Sequence, residues 1–184
     1  MKCRRQTGLY VRPRIGTDMS STAVIGLGNP LMGDDGFGLV ALERLREEWR
    51  LEGDVELADG GTWGMSLLPL IESADRVILL DAIAAGKEPG EIVVLERDRL
   101  PIYLSRKLSP HQVDMKDVLA VAELRGTLPR ETVAIGVQPK SVEMGIGLSD
   151  EVDGAIDKAL EAVLARLREW GHFCEPCGIG WVHA

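Results

Sequence analysis

Residues 22–36 read TAVIGLGNPLMGDDG, a short apolar run that passes directly into a turn rich in glycine and aspartate. The run at residues 22–28 is β-branched and closed by glycine and proline, which is typical of a buried strand. The turn that follows carries Asp34 and Asp35 side by side. The stretch therefore predicts a core strand that ends at an acidic turn.

Four similar runs recur and alternate with helical patterns. The predicted strands are residues 22–28, 55–59, 76–81, 91–96 and 132–137. The predicted helices, each with apolar residues at helical spacing, are residues 39–49, 65–71, 112–124 and 150–170. Such alternation favours a largely parallel sheet covered on both sides. We expect a single-domain α/β three-layer sandwich around a twisted sheet of about five strands.

One connection breaks the alternation. Only about nine residues, 82–90, precede the strand at 91–96, too few for a helical crossover, so this strand should run antiparallel. The chain must then return along residues 98–108 to the edge where the parallel strands end. The sequence SPHQ at residues 109–112 matches a capping box, which places His111 in the first turn of the next helix, at that edge.

Three side chains are thereby predicted at one edge of the sheet, where ligands of open α/β sheets bind. They are Asp35 in the turn, Asp81 at the end of the third strand, and His111. Two carboxylates and an imidazole with an open position suit a divalent ion, and affinity order favours nickel, copper or zinc over magnesium. A helix N-terminus also keeps the imidazole neutral. The polar residues of this edge also have structural explanations when taken singly: Asp34 as a cap of the first helix, Asp81 as a partner of loop amides at a strand end, and His111 as a surface side chain.

A dinucleotide site is a weaker interpretation of the same turn. Gly26 and Gly28 follow a strand, and Asp59 ends the second strand, where a ribose-binding acid is often found. However, Leu31 stands where the third glycine belongs, and an acidic pair would repel a pyrophosphate.

The charge distribution indicates which classes of partner the protein would repel. The formal net charge is −8, and residues 1–20 carry five basic side chains against one acidic, which leaves the rest near −12. Such an acidic body repels nucleic acids and anionic membranes. No apolar run reaches the roughly 18 to 20 residues of a bilayer span, so we expect a soluble, cytoplasmic protein without membrane or nucleic-acid partners.

The predicted organisation is a loose basic leader at residues 1–20, an α/β domain at residues 21–170 and a tail at residues 171–184. Met19 is an alternative start. The three cysteines, Cys3, Cys174 and Cys177, lie outside the predicted domain, which is typical of a reducing cytoplasm. Together with His172 and His183, the last two cysteines have metal-like spacing. A disordered tail with free thiols and an accessory metal-handling tail both stay open.

Six segments, in order, resemble the nickel-iron hydrogenase maturation endopeptidases. They are GLGNPLMGDDGFG at 26–38, DGGTWGM at 59–65, LDAI at 80–83, SPHQ at 109–112, GVQP at 136–139 and GIGLS at 145–149. The resemblance extends over residues 22–170.

The resemblance implies that the protein removes the C-terminal extension of a hydrogenase large-subunit precursor after nickel has been inserted there. The family's metal contacts map onto Asp35, Asp81 and His111. The nickel is then supplied by the substrate, although zinc or cadmium can substitute in vitro. The two carboxylates are the expected catalytic groups, acting on a water polarised by metal or carboxylate. Whether Asp35 is a base or only a ligand stays open.

A glycine-rich segment is the expected contact for an extended peptide, because glycine allows close backbone approach. Its residues are Gly60, Gly61, Thr62, Trp63 and Gly64. A flexible turn with Trp63 over the core is the structural alternative.

Two other functions stay open. A nickel metallochaperone would use the same three residues without cleavage. A peptidyl-tRNA hydrolase shares the Gly-Leu-Gly-Asn-Pro opening, but residues 31–49 lack the histidine expected soon after it, and the acidic body opposes tRNA binding.

Overall fold

A computed structural model describes residues 20–61, 63–100 and 115–177 of the chain. The strands within these ranges are β1 Thr22–Leu27, β2 Trp49–Glu52, β3 Val55–Gly61, β4 Arg76–Ala82, β5 Ile92–Glu96, β6 Glu131–Val137 and β7 Phe173–Pro176. The α-helices there are α1 Phe37–Glu48, α2 Leu68–Ser73, α3 Met115–Leu124, α4 Asp150–Asp153 and α5 Ile156–Glu169. Short 3-10 turns cover Gly33–Gly36, Gly64–Leu67 and Arg97–Arg99.

The main sheet contains five strands in the order β3-β1-β4-β6-β5. Its pairs are parallel except for β5 against β6, which is antiparallel. All five predicted strands and the antiparallel edge strand are confirmed. We call the edge where β1, β4 and β6 end the carboxyl edge, and the opposite one the amino edge.

Apolar side chains fill a layer on each face of the sheet, because successive residues of a strand point to opposite sides. Leu80 faces α1 and α5, whereas Leu79 faces α2 and α3. β1 is buried along its whole length, and β4 and β6 are buried beyond their first residues. The edge strands β3 and β5 are only partly covered. The predicted three-layer α/β sandwich is therefore confirmed.

The helices differ from their predicted bounds mainly at their ends. The helix predicted at residues 150–170 is divided into α4 and α5, and the apolar face of α5 is buried. The predicted helix start at residues 109–112 lies outside the described residues, as does most of the return segment before it. In the ranges that the structure describes, every helix is too short or too polar to cross a membrane.

A small second sheet at the amino edge was not predicted. β2 pairs antiparallel with β7, and Cys174 is buried against the core opposite Leu51. The imidazole Nε2 of His172 lies 2.8 Å from the hydroxyl of Thr22. The expected tail at residues 171–184 thus contributes its first part to the fold. Four-residue strands are too short to show a periodic pattern, which is why the sequence did not reveal them.

The ends of the chain are described only in part. The predicted leader at residues 1–20 falls outside the described residues except for Ser20, and so do residues 178–184 with His183.

Candidate functional site

Asp81 lies near the carboxyl end of β4, in the middle of the sheet. Its register partner on β6 is Gly136, and the preceding Leu80 pairs with Gly26 of β1. The residue is fully buried. Since Leu79 faces α2 and α3, alternation directs the Asp81 side chain to that same face.

Asp35 reaches the carboxyl edge from the turn Gly33–Gly36. Its Oδ2 accepts a hydrogen bond of 2.7 Å from the backbone N–H of Asn29, which holds the half-buried carboxylate over the end of β1. Gly28 allows this approach. A Cβ there would lie 1.8 Å from the Asp35 carbonyl oxygen, and its φ of +113° belongs to the region that favours glycine.

The start of α1 brings this turn over the neighbouring strand. At Gly38, a Cβ would lie 2.1 Å from the Leu80 carbonyl oxygen of β4 and 2.5 Å from the Leu27 carbonyl oxygen of β1. Only glycine permits so close a crossing. The two predicted carboxylates therefore stand at the ends of adjacent strands, on the same edge of the sheet.

Two of the predicted site residues, His111 and Thr62, lie outside the described residues. His111 precedes α3 by four positions in the sequence, and α3 packs on the face to which Asp81 points. Within residues 20–61, 63–100 and 115–177, no group of three or more His, Cys, Asp or Glu side chains is arranged to hold a metal ion. The three-ligand metal site thus remains a prediction.

Asp34 has a role that the sequence did not reveal. Its buried carboxylate accepts hydrogen bonds from three backbone N–H groups and one hydroxyl. The donors are Lys140 N at 2.8 Å, Ser141 N at 3.1 Å, Ser149 N at 2.7 Å and Ser149 Oγ at 3.0 Å. The carboxylate therefore fixes the segment that follows β6, residues 138–149, against the turn that carries Asp35. No periodicity or local motif connects partners more than a hundred positions apart.

The electrostatics of Asp34 follow from these bonds. Burial pushes the pKa of its carboxyl upward, but the hydrogen bonds from Ser149, Ser141 and Lys140 outweigh burial, so the pKa lies below its ordinary value. Asp34 is therefore ionised at neutral pH and acts as a fixed anchor for the loop.

The glycine-rich segment forms the flank of the site next to β3. The register between β1 and β3 slips by one residue at Gly60, and the Gly61 carbonyl accepts a hydrogen bond of 3.2 Å from Gly28 N. Trp63 is 66% exposed, so it does not cover the core as the structural alternative supposed. The segment leaves a large aromatic surface open to solvent at the carboxyl edge.

An α/β sandwich with acidic side chains at the ends of its central parallel strands defines a class of proteins that bind ligands at the carboxyl edge. Comparison identifies the family within that class. The family model described as hydrogenase maturation protease matches residues 40–166, which include Asp81 and His111. The chain belongs to the hydrogenase maturation protease family.

Individual relatives agree. The Hydrogenase 2 maturation protease of Escherichia coli is 40% identical over 149 residues, covering 80% of this chain and 91% of that protein. The expression/formation protein HupD of Rhodobacter capsulatus is 41% identical over 150 residues, covering 80% and 71%. Among solved structures, the E. coli hydrogenase maturating endopeptidase HybD superposes with a TM-score of 0.80 at 38% identity, covering 85% of this chain and 98% of that one.

Family membership supports peptidase activity and removes the grounds for the peptidyl-tRNA hydrolase alternative. The dinucleotide interpretation also loses its structural basis. In that motif the helix begins directly after the glycine-rich turn and its N-terminus binds the pyrophosphate. Here, α1 begins only at Phe37, after a 3-10 turn that carries the two aspartates.

Proposed function

We propose that this chain is an endopeptidase that removes the C-terminal extension of a nickel-iron hydrogenase large-subunit precursor after nickel insertion. The observation that carries the proposal is the pair of carboxylates, Asp35 and Asp81, at the ends of adjacent strands in a chain of this family. Their hard oxygen atoms and negative charge suit a divalent metal carried by the substrate.

The substrate's nickel is recognised by Asp35, Asp81 and His111. Asp81 is fully buried, and in such a low-dielectric position its attraction to a cation is strong. Asp35 is only half-buried and meets the incoming substrate at the mouth of the site. His111 supplies a neutral imidazole nitrogen, the third ligand of the set.

Hydrolysis follows next to the recognised metal. A water polarised by the metal or by a carboxylate attacks the scissile carbonyl carbon, and a new C–O bond forms. The C–N bond then breaks, and the proton lost by the water goes to the leaving amine. The half-buried carboxylate of Asp35 is accessible to solvent and can carry that proton.

The glycine-rich segment binds the extended peptide on the side of β3. Gly60 and Gly61 bring the main chain close to the end of β1, and exposed Trp63 provides an apolar surface beside it. Gly64 and Thr62 belong to the same segment. An extended substrate segment that contacts these residues also passes Asp35 and Asp81.

The test is a cleavage assay with nickel-loaded and nickel-free precursor. We expect wild type to release the extension from the nickel-loaded form only. Asp35→Asn, Asp81→Asn and His111→Ala should each lose about a hundredfold or more in rate, because each removes a contact to the metal or the water. Asp98→Asn, at the amino edge, is the matched control and should cleave as wild type.

The results of this assay distinguish a protease from a metallochaperone. Full cleavage by all three variants would refute the assigned residues. Nickel transfer to or from the precursor without any loss of the extension would instead favour the metallochaperone function.

A further inference from the structure

Three large apolar side chains stand in solvent close to the acidic turn. Leu31 is 60% exposed, Met144 88% and Ile146 91%. Apolar side chains scattered singly over a surface are ordinary, but a contiguous exposed apolar patch often marks an interaction site.

These side chains belong to two segments that the backbone joins. Met32 forms an isolated parallel bridge with Gly145. Gly145 N donates to the Leu31 carbonyl at 3.0 Å, and Gly33 N donates to the Gly145 carbonyl at 2.9 Å. Leu31 and the residues on both sides of Gly145 are therefore held together, and we call Leu31, Met144 and Ile146 the apolar platform.

The apolar platform is also held in position relative to Asp34 and Asp35. The Asp34 carboxylate binds the segment after β6 through Ser141 and Ser149, which flank the platform residues on that segment. Asp35 is the next residue along the turn. A surface docked on the platform is thus held at a defined distance from the reacting groups.

The size of the platform indicates its kind of partner. Three side chains so exposed present roughly 400 Å² of apolar surface, which is within the range of single functional patches on monomers. A stable homodimer of standard size buries about 800 Å² on each partner. The platform therefore suits a transient encounter, such as an enzyme makes with a protein that it processes once.

We propose that Leu31, Met144 and Ile146 form the docking platform for an apolar surface on the folded body of the hydrogenase precursor. This proposal rests on the proposed function and names a substrate contact for the same site. The glycine-rich segment on the β3 side accommodates an extended peptide backbone, whereas the platform lies on the β6 side. The flexible methionine side chain can adapt to the shape of a partner surface.

The test compares the double variant Met144→Ser/Ile146→Ser with wild type. We expect at least a tenfold rise in the Kd for the nickel-loaded precursor and in KM, with kcat at saturating precursor within about twofold, since the reacting groups are untouched. Met144→Leu/Ile146→Leu should restore both constants. Leu124→Ser removes an apolar side chain of equal exposure, 88%, at the amino edge and should change neither.

Competition identifies the occupant. Mature large subunit without its extension should compete with precursor for binding to wild type but not to the double variant. Competition by a synthetic extension peptide, or self-association that the double variant abolishes, would assign another occupant and overturn the proposal.

Binding and cleavage are measured separately. If the double variant binds as wild type, the docking platform is refuted even though wild type cleaves. Tight binding by wild type without cleavage would reject the proposed protease function and leave the docking surface supported. No binding by wild type would reject the platform.

Discussion

The two edges of the sheet are built differently. At the carboxyl edge, hydrogen bonds fix the loops, glycines allow close backbone crossings, and large apolar side chains remain exposed. At the amino edge, the Cζ atoms of Arg76 and Arg166 each lie 5.7 Å from the centroid of the buried Trp170 ring, and β7 pairs with β2. The contrast indicates that buried contacts stabilise the amino edge, whereas hydrogen bonds at the carboxyl edge fix the positions of the acidic turn and of the exposed side chains.

Trp170→Ala should cause the largest change in stability. The residue is 6% exposed, its carbonyl accepts a hydrogen bond of 2.8 Å from Arg76, and its ring belongs to the core facing α1 and α5. We expect a loss of about 3 kcal/mol in the free energy of unfolding, measured by urea denaturation. Precursor cleavage by the folded fraction should stay within about twofold of wild type. Loss of cleavage without loss of stability would break the comparison.

Gly28→Ala tests whether the close contact between Gly28 and Asp35 at the carboxyl edge is required for stability and cleavage. The new Cβ would lie 1.8 Å from the Asp35 carbonyl oxygen, and the alanine would have to keep the positive φ of Gly28. The turn must therefore move. We expect about 2 kcal/mol of destabilisation and a loss of cleavage larger than that of stability.

The matched control is Gly86→Ala, which has a φ of +74° but no atom within 4 Å of the new Cβ. Only backbone strain remains there, about 1 kcal/mol, with cleavage unchanged. Equal effects of the two substitutions would show that the close approach to Asp35 is unimportant.

Among the three test substitutions, Asp34→Asn should have the smallest effect, and that effect depends on pH. The variant loses charged acceptors for the loop amides and should be about 1.5 kcal/mol less stable at pH 7. Because the folded pKa lies below the ordinary value of 3.8, the carboxylate stabilises the fold above the unfolded pKa, and this contribution is lost as the pH falls through the folded pKa. The difference in unfolding free energy between wild type and variant should therefore shrink below about pH 4.

Urea titrations of both proteins at several pH values measure this difference. A gap that stays constant between neutral and strongly acidic pH would show that the ionised form of Asp34 contributes nothing to stability.

The main sheet could be predicted from the sequence because its buried strands are continuous runs of apolar residues. β1 and β4 are continuous apolar runs, and the short connection before β5 excludes a helical crossover, so the strands and the direction of β5 could be predicted. The pair β2 and β7 leaves no such trace, since each strand has four residues and their partners are far apart. The candidate site follows the same division. The positions of Asp35 and Asp81 at strand ends followed from the pattern, whereas the anchoring of residues 138–149 by Asp34 did not.

The linear chain determined the three-layer α/β class, the antiparallel edge strand, the two acidic positions and the family resemblance. Each of these depends on residues close together in sequence, or on the rule that parallel strands end at one edge. Tertiary structure alone revealed that Asp34 anchors the segment after β6. It also brought Leu31 beside Met144 and Ile146, because backbone hydrogen bonds between distant segments set those positions.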